Sequence, residues 1–342
     1  MITEAEEMKD ADYPELRLFR VEHQLAPDGE MDDCQGRWLV CTPKNLYDFS
    51  AVGFVFGRRL HKELNVPVGM IQSTWGGTHA ESWTKMSVMK NNPLYTDVLE
   101  DFALKNVKQE KGYCKVPATL WNGMIHPILG YTVKGNIWYQ GESNAIRHEK
   151  YQQVFTNMIN SWRKEWKQPD MPFYFVQLSA YLKPCLVQPE SGWAALRQAQ
   201  ADALSLDNTA MAVTIDIGDS ADIHPKNKQE VARRLSLIAL KRSYGVGGVV
   251  DTAPVPVSCR YAGGGAELEF DGNIVVDGSR PQGFIVKTAA GQWVVPAVTV
   301  AGKRTLRLSA DGGIEAVRYN WADYPLGNLR GETGLPVAQF AR

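Results

Sequence analysis

Apolar positions along this chain recur with two different periods, and the order in which the periods alternate predicts the architecture. Leu16 to Glu22 (LRLFRVE) alternates apolar and polar residues after Pro14, the pattern of a strand. From about Ala51 to Leu64 the period lengthens, so that Val52, Val55, Phe56, Leu60 and Leu64 share one side of a helix, with Asp48 or Ser50 as candidate N-cap. Val66 to Gln72 is a short apolar run that ends at Ser73, Thr74, Trp75, Gly76, Gly77 and Thr78, which predicts a buried strand opening into a glycine loop. The alternation repeats downstream. Gly135 to Tyr139 ends in the polar turn Gln140 to Asn144, and a helix follows with Tyr151, Val154, Phe155, Met158, Ile159 and Trp162 on one face. PFYFVQLS supplies another strand, Ala194 to Leu204 a helix and Ala210 to Ile217 a strand. Lys226 to Tyr244 is a helix with Val231, Leu235, Ile238 and Ala239 toward the core and Gly245 as its stop.

Strands alternating with helices, each strand ending in the loop that holds the unusual residues, predict an α/β fold with a parallel sheet whose site lies at the carboxyl ends of the strands. From about Gly247 the pattern changes to short alternating stretches (AELEFDG, NIVVDG, GFIVK, TLRLSA) separated by Gly, Asn and Asp turns, the signature of a small all-β region. A length of 342 residues suits one large and one smaller domain, which places an α/β domain over 1–246 and a β domain over 247–342.

Charge narrows the partners. Lys plus Arg total 37 against 38 Asp plus Glu, so there is no excess positive charge for a nucleic-acid backbone or an anionic membrane, and a small or neutral ligand is expected. Cys34, Cys41, Cys114, Cys185 and Cys259 form no CxxC pair, which indicates neither a zinc site nor a redox motif but buried free thiols. No apolar run approaches a membrane span. The opening MITEAEEMKDADYPE is acidic where a secretory signal would be basic and then apolar. It reads as the middle of a helix and the turn after it, with the expectation that the natural protein starts upstream of Met1.

Among six histidines, His224 stands out because DIGDSADIHPKNK falls between a predicted buried strand and a predicted helix. An imidazole there can take a nucleophile's proton if a carboxylate fixes its tautomer, and Asp216, Asp219 and Asp222 are nearby, Asp222 the closest. The plainer alternative is that Asp222 caps the following helix and His224 is merely exposed. In STWGGTHAESW, Gly76 and Gly77 would let backbone N–H groups approach a developing oxyanion, although a Gly-Gly after a strand is commonly only a turn. WYQGESNA crowds Gln140, Glu142, Ser143 and Asn144 into one loop, where an amide can donate to an oxyanion or simply tie neighbouring loops together. Glu142 and Trp75 are the candidate substrate contacts; Trp75, Trp83, Trp121, Trp138 and Tyr139 could all stack on sugar rings, with core packing the default for most of them. His79, His126 and His148 show no HExxH or other metal spacing.

Four ordered segments, VPVGMIQSTWGGTHAESW, LWNGMIHPILGYTVKGNIWYQGESNA, SWRKEW with PFYFVQLSAY, and DIGDSADIHPKNKQEVARRL, together with the ending VRYNWADYPLGNLRGETGLPVAQF, resemble the sialate O-acetylesterase family over nearly the whole chain. The resemblance implies a three-layer α/β/α domain similar to SGNH hydrolases. It also implies hydrolysis of O-acetyl esters on sialic acid or a related carbohydrate through an acetyl-serine, with no metal and no organic cofactor, in a secreted, periplasmic or lysosomal setting. By resemblance His224 is the general base and Asp222 its partner. Gly76 or Gly77 gives a backbone oxyanion donor, and Gln140 or Asn144 an amide one. Many SGNH members carry the aspartate three residues before the histidine, where this chain has Ala221, so Asp219 stays a candidate.

The family's nucleophile lies in a GQSNM-like motif after the first strand, and this chain has no such motif. Ser73 and Ser143 belong to other motifs. Because the family's ADYPELRLF-like stretch follows that motif closely and begins here at Ala11, the expectation is that the motif lies just before Met1, and that a preceding segment or a partner chain completes the sheet. Two other readings use the same residues: a deacetylase of xylan or another polysaccharide, and a carbohydrate-binding relative without catalysis.

Overall fold

The computed structural model describes residues 4–9, 11–104 and 113–342. Strand β1 (Tyr13–Arg20) pairs antiparallel with β2 (Trp38–Cys41) and parallel with β3 (Val68–Gln72), Leu16 lying opposite Val68 and Arg20 opposite Gln72. Strands β4 (Asn136–Trp138), β5 (Phe173–Val176) and β6 (Thr209–Ala212) form a second, wholly parallel sheet in that order. The single parallel sheet expected from the alternation is therefore divided in two. Among the described residues, β3 pairs only with β1, and β4 only with β5. Their free edges line a cleft of about 440 Å³, with Met70, Ile71 and Gln72 contributed from β3, Ile137 and Trp138 from β4, and Gly53 and Leu235 from the helices beneath. A strand edge left this way presents a row of unpaired backbone donors and acceptors.

Helices α1 (Ala51–Leu64), α2 (His148–Glu165), α3 (Gly192–Asp202) and α4 (Lys228–Arg242) make the outer layers. Of the two candidate N-caps for α1, Ser50 does the capping, its Oγ accepting from Gly53 N at 3.1 Å. Helices α1 and α4 cover one face, where Phe54, Leu60, Val231, Leu235 and Ile238 join Leu16, Leu18, Val176 and Ala212 in one core. Helices α2 and α3 cover the other, with Tyr151, Phe155, Met158, Trp162 and Leu196 packed on Trp138, Phe173 and Phe175. Phe155 meets Phe175 edge to face, centroids 5.0 Å apart. Each such buried side chain stabilises the fold by about 1.5–3 kcal/mol relative to exposure. The chain leaves α4 where expected: Gly245 has φ +64, and Val246 N returns to Leu240 O at 2.9 Å.

Beyond α4 the strands are short and antiparallel. One sheet runs in the order Ala297–Gly302, Thr305–Ser309, Gly265–Phe270, Pro256–Ala262, and another Trp293–Val294, Phe284–Lys287, Ala316–Tyr319, Phe340–Ala341. Their inner faces share a core of Leu268, Phe270, Val286, Leu306, Tyr319 and Phe340. This β unit is tied firmly to the α/β layers. Arg197 of α3, fully buried, donates to Gln339 Oε1 (3.0 Å) and to the carbonyls of Asn320, Ala322 and Asp323.

Candidate functional site

Parallel strands deliver their following loops to one end, and three such loops meet here. After β3, Thr78 Oγ1 donates to Trp75 O at 2.8 Å and closes the turn through Gly76 and Gly77. Gly77 takes φ +72, where a side chain would be strained, and nothing lies within 4 Å of a Cβ built on either glycine, so this backbone faces open space. Trp75, Gly76 and Gln140 all line the cleft. One face of the Trp75 indole is covered by the His23 ring, stacked at 4.0 Å, and the half-buried side chain also packs against the core while lining the cleft.

After β4, the loop is locked to the glycine turn by its amides. Gln140 Nε2 donates to Thr78 O (3.0 Å) and to Asn144 Oδ1 (2.7 Å), and its Oε1 accepts from Tyr151 Oη (3.0 Å). Both of its amide hydrogens are thereby used. Asn144 Oδ1 also accepts from Ala80 N (3.0 Å), while Nδ2 donates to the buried Glu81 carboxylate at 2.8 Å. An amide nitrogen carries two hydrogens, so Asn144 keeps one N–H in hand and Gln140 none. Glu81 is held from its other oxygen by Arg147 at 3.1 Å. Glu81 lies within STWGGTHAESW, but neither it nor Arg147 stands out in the sequence; their pairing depends on the burial of Glu81, which only the fold reveals.

After β6 comes the loop with His224. Asp222 Oδ1 accepts from the backbone N of His224 (2.9 Å) and lies 3.2 Å from its Nδ1. These bonds hold the Asp222 carboxyl below the ordinary carboxylate range, the backbone N–H first and the imidazole next. With Nδ1 on the carboxylate, Nε2 is the nitrogen available for proton transfer. Asp219 is placed differently: its Oδ1 accepts from Ala221 N at 2.9 Å and closes a turn. The His224 side chain is 80% exposed and, among the described residues, no serine hydroxyl is bonded to it. Ser73 Oγ donates to Met124 O at 3.0 Å instead.

Charge links the loops. Lys228, at the start of α4 and on the cleft wall, has its ammonium 5.0 Å from the centre of the Tyr139 ring. Burial pushes the Glu142 carboxyl up against the opposing pull of Lys228 and His224, and burial likewise pulls Lys228 down against Glu142 and Asp222. Imidazole, carboxyl and ammonium thus lie within electrostatic reach of one another. Lys228 reads in the sequence only as the beginning of a helix.

Gly218 fixes the height of the His224 loop. A Cβ there would fall 1.9 Å from Ala180 O and under 3 Å from two further backbone atoms of Ala180, which cannot move aside cheaply. Gly218→Ala is expected to destabilise the protein by about 1–3 kcal/mol through this overpacking, read as a lowered midpoint of thermal unfolding. An unchanged midpoint would mean that the loop lifts off freely.

Similarity to known proteins bears on this geometry. The sequence profile described as "Carbohydrate esterase, sialic acid-specific acetylesterase" matches residues 42–237. The chain is 30% identical to the sialate O-acetylesterase of Mus musculus, across 92% of this chain and 68% of that protein. It is 29% identical to that of Homo sapiens, across 92% and 65%. The fold superimposes on a crystal structure of a carbohydrate acetylesterase from Xanthomonas citri with a TM-score of 0.86 and 33% identity, covering 98% of this chain and 75% of that one.

Proposed function

This chain belongs to the sialic acid-specific acetylesterase family of carbohydrate esterases, and from that membership we propose that it removes O-acetyl groups from sialic acid or a closely related sugar by a serine-esterase mechanism. The observation that carries the reading is the convergence, at one end of the parallel strands, of an open glycine backbone, an amide with a free N–H, and an imidazole oriented by a carboxylate. That set matches the needs of acyl transfer: a base for the nucleophile's proton and donors for the charge that develops on the carbonyl oxygen.

In this reading the nucleophile is a serine at the carboxyl end of one additional parallel strand seated between β3 and β4, from the same polypeptide or a partner. The cleft supports this because, among the described residues, both bordering edges are free, and each bordering strand is already paired in parallel on its other side, β3 with β1 and β4 with β5. A strand there would end between the Gly76–Gly77 turn and the Gln140–Asn144 loop. Its serine Oγ attacks the acetyl carbonyl carbon while His224 Nε2 takes the hydroxyl proton. The oxyanion accepts from Gly76 or Gly77 N–H and from Asn144 Nδ2. Collapse expels the sugar oxygen, to which His224 returns the proton, and water then attacks the acetyl-serine by the same route to release acetate. Glu142 and Trp75 serve the sugar.

The names of the mammalian relatives favour the sialate end of the substrate range. With the cleft strand supplied, acetate release is expected to be faster from O-acetylated sialic acid than from acetylated xylo-oligosaccharides at equal concentration. Cleavage of the xylo-oligosaccharides with the sialic acid left intact would overturn the substrate assignment and leave the esterase mechanism standing.

A further inference from the structure

We infer that the C-terminal β unit positions the loop that carries His224, with Arg330 as the positioning residue, an inference that rests on His224 being the base. Two threads run from the β unit to this loop. In the first, Arg330 Nη1 donates to Asp216 Oδ2 at 2.9 Å, across 114 residues of sequence. Asp216 stands four residues past the end of β6 and six before Asp222. Its two oxygens are also gripped by Arg234 of α4, at 2.6 and 2.9 Å, and Arg234 is buried and further held by Glu230 at 2.8 Å and by Val213 O. The start of the loop is therefore clamped between α4 and the β unit.

In the second thread, Asp323 of the β unit receives Tyr181 N on its backbone carbonyl at 3.1 Å, and Ser191 Oγ (2.6 Å) and Gln188 Nε2 (2.7 Å) on its carboxylate. The stretch so anchored bridges in parallel from Tyr181 to Asp219, and its Ala180 is the backbone on which Gly218 rests. The loop from Asp216 to His224 thus has the β unit beneath it at two points. An exposed imidazole has little packing of its own, so these distant anchors are what can keep it in a defined place.

Arg330 makes two other contacts, to Asp277 Oδ2 (3.2 Å) and Gly334 O (3.1 Å), which lie within the β unit and supply the control. Arg330→Gln in the full chain is expected to speed amide hydrogen exchange in peptides covering 213–227 by about tenfold while leaving 265–270 and 305–309 unchanged. Arg330→Lys should restore most of the protection, and Asp277→Asn should leave the loop as it is. Asp216→Asn cuts the thread from the loop side and is expected to loosen the same peptides. In the strand-filled protein, Arg330→Gln should lower kcat with little change in KM. Faster exchange confined to the β unit, or equal effects of Arg330→Gln and Asp277→Asn, would show a purely local anchor and overturn the inference. If Arg330→Gln loosens the loop while His224→Ala leaves turnover intact, the positioning stands and the assignment of the base is what fails.

Discussion

Replacing His224 by alanine in the strand-filled protein is expected to lower kcat for acetyl-ester cleavage by about 10²–10⁴-fold, the contribution of a positioned general base. The rest of the site should be unaffected, because the His224 side chain stands in solvent and, among the described residues, its hydrogen-bond partner is Asp222, two residues away. Stability should therefore stay within about 0.5 kcal/mol of the parent, as for other exposed positions free of special contacts. The same experiment separates the two aspartates that the sequence left in competition. Asp222→Asn removes the carboxylate from Nδ1 and should lower kcat substantially. Asp219→Asn alters only the turn at Ala221 and is expected to change kcat by about twofold or less. Full turnover in His224→Ala would mean that His224 is merely exposed, as in the plainer reading. The other half of that reading, Asp222 as the cap of the following helix, does not hold, since Asn227 Oδ1 caps α4 by accepting from Glu230 N at 3.1 Å.

How far the molecule could be read from its sequence depended on what each feature requires of distant residues. Helices α1 and α2 were legible because burial on one face imposes a 3.6-residue period, and Val154, Phe155, Met158, Ile159 and Trp162 are all buried as that period requires. Strand β2 was not legible: Trp38–Cys41 is a four-residue edge strand with Trp38 and Val40 exposed, so its composition carries no burial signal. The π-helical turn Trp121–Ile125 was equally hidden, since its residues are buried on all sides and show no period. The division of the parallel sheet was beyond any local pattern, because pairing is a property of two segments and not of one.

At the site, the glycine and amide loops and the His224 segment stood out because they place polar or backbone-exposing residues directly after apolar strands. What could not be read was how their hydrogens are distributed. Gln140 and Asn144 look interchangeable in WYQGESNA, but Thr78 O and Asn144 Oδ1 take both amide hydrogens of Gln140, whereas Glu81 takes one of Asn144 and leaves it one donor. Glu81, Arg147, Lys228 and Arg330 were invisible for the same reason: each acts on the site through a partner far away in sequence or through burial.

The second large effect concerns the cleft itself. Filling it would pair two free strand edges and cover Met70, Ile71 and Ile137, so an added strand should stabilise the chain as well as activate it. A synthetic peptide of alternating apolar residues that ends in Gly-Gln-Ser-Asn-Met, titrated into the chain with acetate release followed from an O-acetyl sugar, tests this directly. The account predicts a saturable rise in turnover together with a raised unfolding midpoint, and for the Ser-to-Ala peptide the raised midpoint without the turnover. Full His224-dependent turnover by the chain alone, or a peptide that neither binds nor activates it, would contradict the account.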